Sequence, residues 1–376
     1  MYIHQYLLDQ LLEIKLSKKV LVIFGPRQVG KTTLLNKLLE HKEKYLLISG
    51  EDIEIQQILS SQSIERLKAF VGSQELLVID EAQRIANIGL NLKLLVDHCS
   101  KLQIIVTGSS AFDLGKNLGE PLTGRKVTFE LFPLSQMELG SSENLAQTKA
   151  RLEGRLIFGS YPEVILAADN KTKIEYLHEL TSSYLYKDIL EIEGIRKAKK
   201  IIQLLQLLAL QIGREVSLSE LGRQLGLDKN TVERYLDLLE KSFVLINIRG
   251  YSRNARKEIS KTSRYYFYDL GVRNAIINQF NLLSMRNDVG EIWENYLITE
   301  RLKKQAYKKI HTNNYFWRTY SQQEIDWVEE RAGQLYGYEI KWQSGSRIKI
   351  PSEWNRAYPK AEFTIINQDN YLPFIL

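Results

Sequence analysis

The sequence predicts an α/β chain: a parallel sheet with flanking helices, then a helical region with a winged helix, then a small α/β unit. Three observations lead there. Short apolar runs at Val20–Phe24, Tyr45–Ile48, Leu76–Ile79 and Leu102–Thr107 are separated by helix-like stretches, the alternation of a parallel sheet covered on both faces. A glycine-rich turn joins the first run to a helix former. Beyond residue 285 an amphipathic stretch gives way to short alternating runs bounded by turn residues.

The turn reads Gly25-Pro26-Arg27-Gln28-Val29-Gly30-Lys31-Thr32-Thr33 and fits G-x-x-x-x-G-K-[ST]. Glycines let backbone N–H groups turn inward around an anion, and the first amides of the following helix lack partners and point the same way. Lys31 can reach the outer phosphates of a nucleotide, and the Thr32 hydroxyl can sit on Mg²⁺. An ordinary strand-to-helix turn is the alternative.

Phosphate binding alone does not make a hydrolase. The segment ELLVIDEAQR supplies acids where they are needed. Asp80 ends an apolar strand, at the side where open parallel sheets bind ligands. There it can hold Mg²⁺, and Glu81 can polarise an attacking water. Either acid alone reads equally well as a helix cap. Both parts are expected at the carboxyl ends of adjacent strands. Thr107, Ser109 and Ser110 follow the fourth run; they either contact the γ-phosphate and water or simply end the strand. Helices are expected over Thr32–Leu39, Ile64–Phe70 and Leu90–His98, and the single cysteine, Cys99, is expected in a helix.

The loop GPRQVGKTT, the segment VIDEAQ and the segment VTGSSA together resemble prokaryotic members of the AAA+ superfamily of P-loop ATPases. The resemblance implies ATP and Mg²⁺ as cofactors, Asp80 and Thr32 as metal ligands, Glu81 as the water-activating group and Ser109 as the polar sensor. The P-loop reads phosphates rather than the base, so GTP stays open. Leu122-Thr123-Gly124-Arg125 matches a further L-x-G-R pattern. By resemblance Arg125 is a finger entering a neighbouring subunit's site, which implies a homo-oligomer. A surface ion pair is the alternative for Arg125.

The middle of the chain is expected to be mainly helical, interrupted by the turn signal GSYPEV, Gly159 to Val164, to which no chemical role attaches. Ser217 or Ser219 can cap a helix ending near Leu225, and Asp228 can cap a second helix through Lys241, with Val232, Tyr235, Leu236 and Leu239 on one face. That is a helix-turn-helix pattern, with Phe243–Ile248 starting a wing. The second helix carries mixed charge. The wing is basic: Arg249, Arg253, Arg256, Lys257, Lys261 and Arg264 stand against Glu258 alone. Such a patch suits backbone phosphates of nucleic acid, DNA rather than RNA, or is simply a solvated face.

In the last part, GEIWENYLITERLKK reads as a helix with Trp293, Leu297, Ile298 and Leu302 inward and Glu294 beside them. NYFWRTY, EIDWVEE and LYGYEIKW read as strands. Period two puts Glu339 and Lys341 on one face, and a suitable hairpin adds Asp326. Two carboxylates and a lysine can run metal-assisted phosphodiester hydrolysis; charged edge strands alternate the same way. The order helix-Glu294, Asp326, Glu339-x-Lys341 resembles the PD-(D/E)xK restriction-endonuclease-like superfamily, although no proline precedes Asp326.

The expected division is therefore an AAA+ type core over 1–135, a helical lid over 136–196, a winged helix-turn-helix over 197–270 and a nuclease-like domain over 285–376. The chain has 376 residues, 44% of them apolar, which suffices for these cores. An excess of 51 basic over 45 acidic side chains, +6, is compatible with nucleic acid without arguing for it. One cysteine excludes an internal disulfide framework and suits a reducing, cytoplasmic setting. The N-terminus does not read as a signal peptide, and the most apolar run, IIQLLQLLAL, is too short to span a bilayer, so no membrane role is expected. The function these features imply is Mg²⁺-dependent ATP hydrolysis coupled to nucleic-acid binding or processing. The alternatives are an ATPase-controlled nuclease and an ATP-binding switch that recruits a partner without turnover.

Overall fold

The apolar runs become strands where their pattern predicts. The computed structural model describes residues 2–14, 18–40, 42–109, 122–182, 198–252, 263–345 and 349–376. Its described residues divide into two compact units, Tyr2–Pro133 with Lys241–Phe243 and Leu134–Glu240 with Val244–Leu376.

The first unit runs α1 (Tyr6–Glu13), β1 (Val20–Phe24), α2 (Lys31–Leu39), β2 (Tyr45–Ser49), α3 (Ile53–Leu59), α4 (Ile64–Val71), β3 (Leu76–Asp80), α5 (Ile88–His98), β4 (Gln103–Gly108) and β5 (Lys126–Glu130). The strands form one sheet in the order β2-β3-β4-β1-β5, every pair parallel. Alternation decides what each strand residue meets. Val20, Val22, Leu77, Ile79, Ile104 and Val106 share a face and pack with Leu59, Leu67, Val71, Leu92 and Leu95 of α3, α4 and α5. The alternate residues Leu21, Ile23, Val78 and Ile105 are buried too, so the middles of β1, β3 and β4 are covered on both faces. Each such side chain contributes about 1.5–3 kcal/mol on burial. β2, at the edge, exposes every second residue. Two details differ from expectation. β4 lies between β1 and β3, so the phosphate turn and Asp80 end strands that are not adjacent. Cys99 is the residue that closes α5, half-buried, rather than a residue within it.

The second unit begins with α6 (Gln136–Gly140), α7 (Leu145–Phe158), α8 (Pro162–Leu166) and α9 (Asn170–Leu180). Then come α10 (Ala198–Leu210), β6 (Glu215–Val216), α11 (Leu218–Leu225), α12 (Lys229–Lys241), β7 (Leu245–Gly250), β8 (Ser263–Phe267) and α13 (Leu270–Ile276). The last stretch holds α14 (Val289–Tyr307), β9 (Asn313–Arg318), β10 (Glu324–Arg331), β11 (Gln334–Ile340), α15 (Ser352–Ala357), β12 (Glu362–Ile366) and α16 (Tyr371–Ile375). The helix-turn-helix forms with the expected caps: Glu220 N donates to Ser217 Oγ at 3.3 Å and Thr231 N to Asp228 Oδ1 at 2.9 Å. Val232, Tyr235, Leu236 and Leu239 are all buried. Its wing does not stand apart. β7 pairs in parallel with β9, so β6, β7 and β8 join the C-terminal strands in one seven-stranded sheet, β12-β11-β10-β9-β7-β8-β6. On α14, Trp293, Leu297 and Ile298 are fully buried, whereas Leu302 is only half-buried.

The GSYPEV turn has a structural task. Asp269 caps α13 by accepting from Gly271 N at 2.8 Å, and its other oxygen accepts from Ser160 N at 2.7 Å. Its carboxylate lies directly over Gly159, where φ is +75° and a Cβ would overlap it. Only glycine suits both conditions. Gly159→Ala is therefore expected to cost about 2 kcal/mol or more. A denaturant melt of the two proteins reads this as a lower midpoint at unchanged slope.

Candidate functional site

The phosphate turn is built by close backbone approach. A Cβ on Gly25 would overlap the Leu131 carbonyl oxygen, so any other residue would push the end of β5 away. Gly25, Pro26 and Val29 are buried, Arg27 and Gly30 half-buried, and Gln28, Thr32 and Thr33 exposed. Gly30 caps α2 with φ 94°, leaving the first amides of a nine-residue helix to the turn. Lys31 is buried beneath it and donates to Gly25 O at 2.9 Å and Pro26 O at 2.8 Å. Burial pulls its pKa down to about 8; Glu81 and Asp80 work against that shift and Arg27 adds to it.

The acidic strand end meets this turn. Asp80 Oδ2 accepts from Thr32 Oγ1 at 2.8 Å, and its Oδ1 accepts from Thr107 Oγ1. Glu81 follows in the left-handed region with φ 53°, a conformation uncommon outside glycine and typical of functional turns. Its N–H donates to Thr107 Oγ1 at 3.2 Å. Its Oε2 accepts from Gln83 Nε2 at 2.5 Å and from Ser109 Oγ at 3.4 Å, and Gln83 Nε2 reaches Ser109 Oγ at 3.1 Å. Of the three hydroxyls after β4, Thr107 thus serves Asp80, Ser109 serves Glu81, and Ser110 lies outside the described residues. Gln83 is a group that sequence reasoning missed, although it stands two residues after Glu81 in the quoted segment. A hydroxyl and a carboxylate held together are hard oxygen donors, and they suit Mg²⁺ beside a backbone-lined cradle.

Arg125 is elsewhere. It precedes β5, where its carbonyl accepts from Val20 N at 2.8 Å, and its Nε pairs with Asp97 at 2.8 Å. Val20 and Arg125 mark the amino ends of β1 and β5, opposite the phosphate turn, so Arg125 does not reach that turn in its own chain.

The four C-terminal residues do gather. Lys341 Nζ stands 2.7 Å from Glu339 Oε1 and 3.9 Å from Asp326 Oδ2, which also accepts from Ile340 N at 2.9 Å. Glu294, from α14, accepts from Tyr266 OH at 2.6 Å. Burial, then repulsion from Asp326, raises the pKa of Glu294 and of Glu339; burial raises that of Asp326 itself. Among the described residues no three Asp, Glu, His or Cys side chains converge as a ready metal site. Arg264, counted by sequence within the basic wing, points inward here. It is 4% exposed, with Nη1 3.8 Å from Glu294 Oε1 and 3.7 Å from Asp326 Oδ1, and Nη2 2.8 Å from Glu324 Oε2. Of the other wing residues named, Arg249 is exposed on β7, and Arg253, Arg256, Lys257 and Lys261 lie outside the described residues.

Residues 17–140 match the AAA domain family. This segment is similar to an AAA-type P-loop domain. The rest matches two families described as domains of unknown function, DUF8612 over 149–283 and DUF4143 over 289–374. An uncharacterized protein of Mycobacterium tuberculosis is 28% identical over 333 residues, 88% of this chain and 71% of its own length. One from Haemophilus influenzae is 25% identical over 365 residues, 89% of this chain and 86% of that protein. A third, from Methanocaldococcus jannaschii, is 26% identical over 339 residues, 84% and 74%. Among solved structures, AMPPCP-bound DnaA from Aquifex aeolicus aligns at 17% identity over 62% of this chain and 86% of that one, with a TM-score of 0.27, too loose to carry weight. No described helix is long and apolar enough to cross a membrane.

Lys31 generates a pH prediction. Phosphates favour its charged form, so its pKa rises on binding. Nucleoside triphosphate affinity is expected to be flat below about pH 8 and to fall above it, with proton uptake on binding there. Calorimetry in two buffers of different ionisation enthalpy checks both.

Proposed function

We propose that the chain is a Mg²⁺-dependent nucleoside triphosphatase, with ATP as the expected substrate, acting in a nucleic-acid setting. The observation that supports it most directly is the 2.8 Å contact between Thr32 and Asp80, which joins the phosphate turn to the acidic strand end. Lys31 and the amides from Gly30 onward bind and orient the phosphates. Thr32 and Asp80 would hold magnesium, which when bound offsets charge on the β- and γ-oxygens. Glu81 accepts a proton from the attacking water, and Ser109 and Gln83 orient its carboxylate. Arg125 contributes, if at all, to a neighbouring copy's site. Lys31→Ala is expected to abolish turnover. Glu81→Gln is expected to keep nucleotide affinity within a few-fold and lower kcat about 10²–10⁴-fold. Stoichiometric ATP binding by wild type without hydrolysis, with and without DNA, would replace this with a non-catalytic switch.

A second reading has its own observation. Lys341 joins Glu339 and Asp326, with Glu294 facing them, as metal-assisted phosphodiester cleavage requires. Arg249 and the basic stretch after it supply the non-specific phosphate contacts. DNA affinity is therefore expected to fall steeply with salt. Cleavage of DNA with Mn²⁺ or Mg²⁺ is expected to vanish in Asp326→Ala/Glu339→Ala; cutting that survives in the double variant points to another site.

A further inference from the structure

The cluster around Asp326 already encloses a cation. Arg264 faces Glu294, Asp326 and Glu324, and its guanidinium lies 4.5 Å above the Phe316 ring. Burial works against its charge, and Tyr266, Glu294, Asp326 and Glu324 outweigh that, so it stays charged. Its fit is incomplete. The two Nη1 approaches, 3.7 and 3.8 Å, are too long for hydrogen bonds. Among the described residues Arg264 Nε has no hydrogen-bond partner, and neither has Glu339 Oε2, on a residue 7% exposed.

The same sheet shows what a finished ion pair looks like. Glu329, on β10 three residues after Asp326, is fully buried and accepts from Arg301 Nε at 2.6 Å, Arg301 Nη2 at 2.9 Å, Gln305 Nε2 at 2.7 Å and Trp327 Nε1 at 3.0 Å. Burial opposes its charge, and Arg301 holds its carboxyl below the usual range all the same. That pair is built for stability. At the Asp326 cluster, four carboxylates, Glu294, Glu324, Asp326 and Glu339, face three cations, Arg264, Lys341 and, 3.9 Å from Glu324, Arg318, with hydrogen-bonding capacity left over. A buried site with surplus oxygens suits a hard divalent ion better than one guanidinium.

We infer that Arg264 is a resident counter-cation that fills the space between Glu294 and Asp326 and competes with a divalent metal ion for it. The inference rests on the second reading above, and it gives that site a control. As built, the cluster is shut to metal; withdrawal of one side chain on β8 opens it. β8 is the wing strand paired with β7, which carries the exposed Arg249. Metal entry is thereby tied to the hairpin that would meet phosphates.

The test is Mn²⁺ binding to the nucleotide-free full chain, followed by paramagnetic resonance. Arg264→Met removes the charge and keeps the bulk; it is expected to bind Mn²⁺ roughly tenfold tighter or more than wild type. Arg264→Lys keeps the charge and stays near wild type. Arg264→Met/Asp326→Asn loses the gain. If Arg264→Met does not fold without metal, Arg264→Gln, which removes the charge and keeps a polar group beside Glu324, is expected to raise Mn²⁺ affinity in the same direction. Unchanged Mn²⁺ affinity in folded Arg264→Met, or in Arg264→Gln where that is the variant used, overturns the inference. A gain in Mn²⁺ binding with no cleavage of DNA by any variant leaves the inference standing and removes the nuclease reading alone.

Discussion

The Asp80 carboxylate is clamped by two hydroxyls from different elements, Thr32 at the start of α2 and Thr107 on β4. The proposed nucleotide site depends on that clamp. β4 lies between the strand that carries the phosphate turn and the strand that carries the acid, and Thr107 bridges the interval. The same hydroxyl accepts from Glu81 N, which fixes the left-handed turn that aims the glutamate. Three strand ends therefore act as one object. Without the carboxylate, the Thr32 and Thr107 hydroxyls lose their shared acceptor; Thr107 is fully buried, and leaving its hydroxyl without that acceptor costs about 1–3 kcal/mol.

The two units handle buried charge differently. In the first, Lys31 is neutralised only by loop carbonyls and the nearby acids, so burial leaves it poised to welcome an anion. In the second, buried charges are mostly completed pairs. Arg273 and Arg286 share Asp288 at 2.7 and 2.8 Å, and Arg301 spans both oxygens of Glu329. Such pairs hold a fold in register without demanding a ligand. The Asp326 cluster departs from that pattern because its carboxylates outnumber its cations and the pKa values of Glu294, Asp326 and Glu339 go up, not down.

Local pattern explains what was legible. The strands at Val20–Phe24, Tyr45–Ser49 and Leu76–Asp80 and the helix caps at Ser217 and Asp228 follow from alternation and from side chains that satisfy nearby amides, which act within a few residues. The places of Lys31 and Thr32 at the start of α2, and of Asp80 and Glu81 at the end of β3, were legible for the same reason, since each is set by one strand and the turn that follows it. Gln83 was not, because its role lies in reaching Ser109, 26 residues on. Gly159 showed as a turn, but its obligation to Asp269 is a contact across 110 residues.

Sequence by itself determined the elements, the phosphate turn and the identity of the acids, because those depend on spacing along one strand or helix. Tertiary structure decided which strand separates the loop from the acid, that the wing continues into the C-terminal sheet, and that Arg264 turns inward while Arg249 stays out. Strand pairing between distant segments and the burial of a long side chain are set by energies summed over the whole core, which no local window contains.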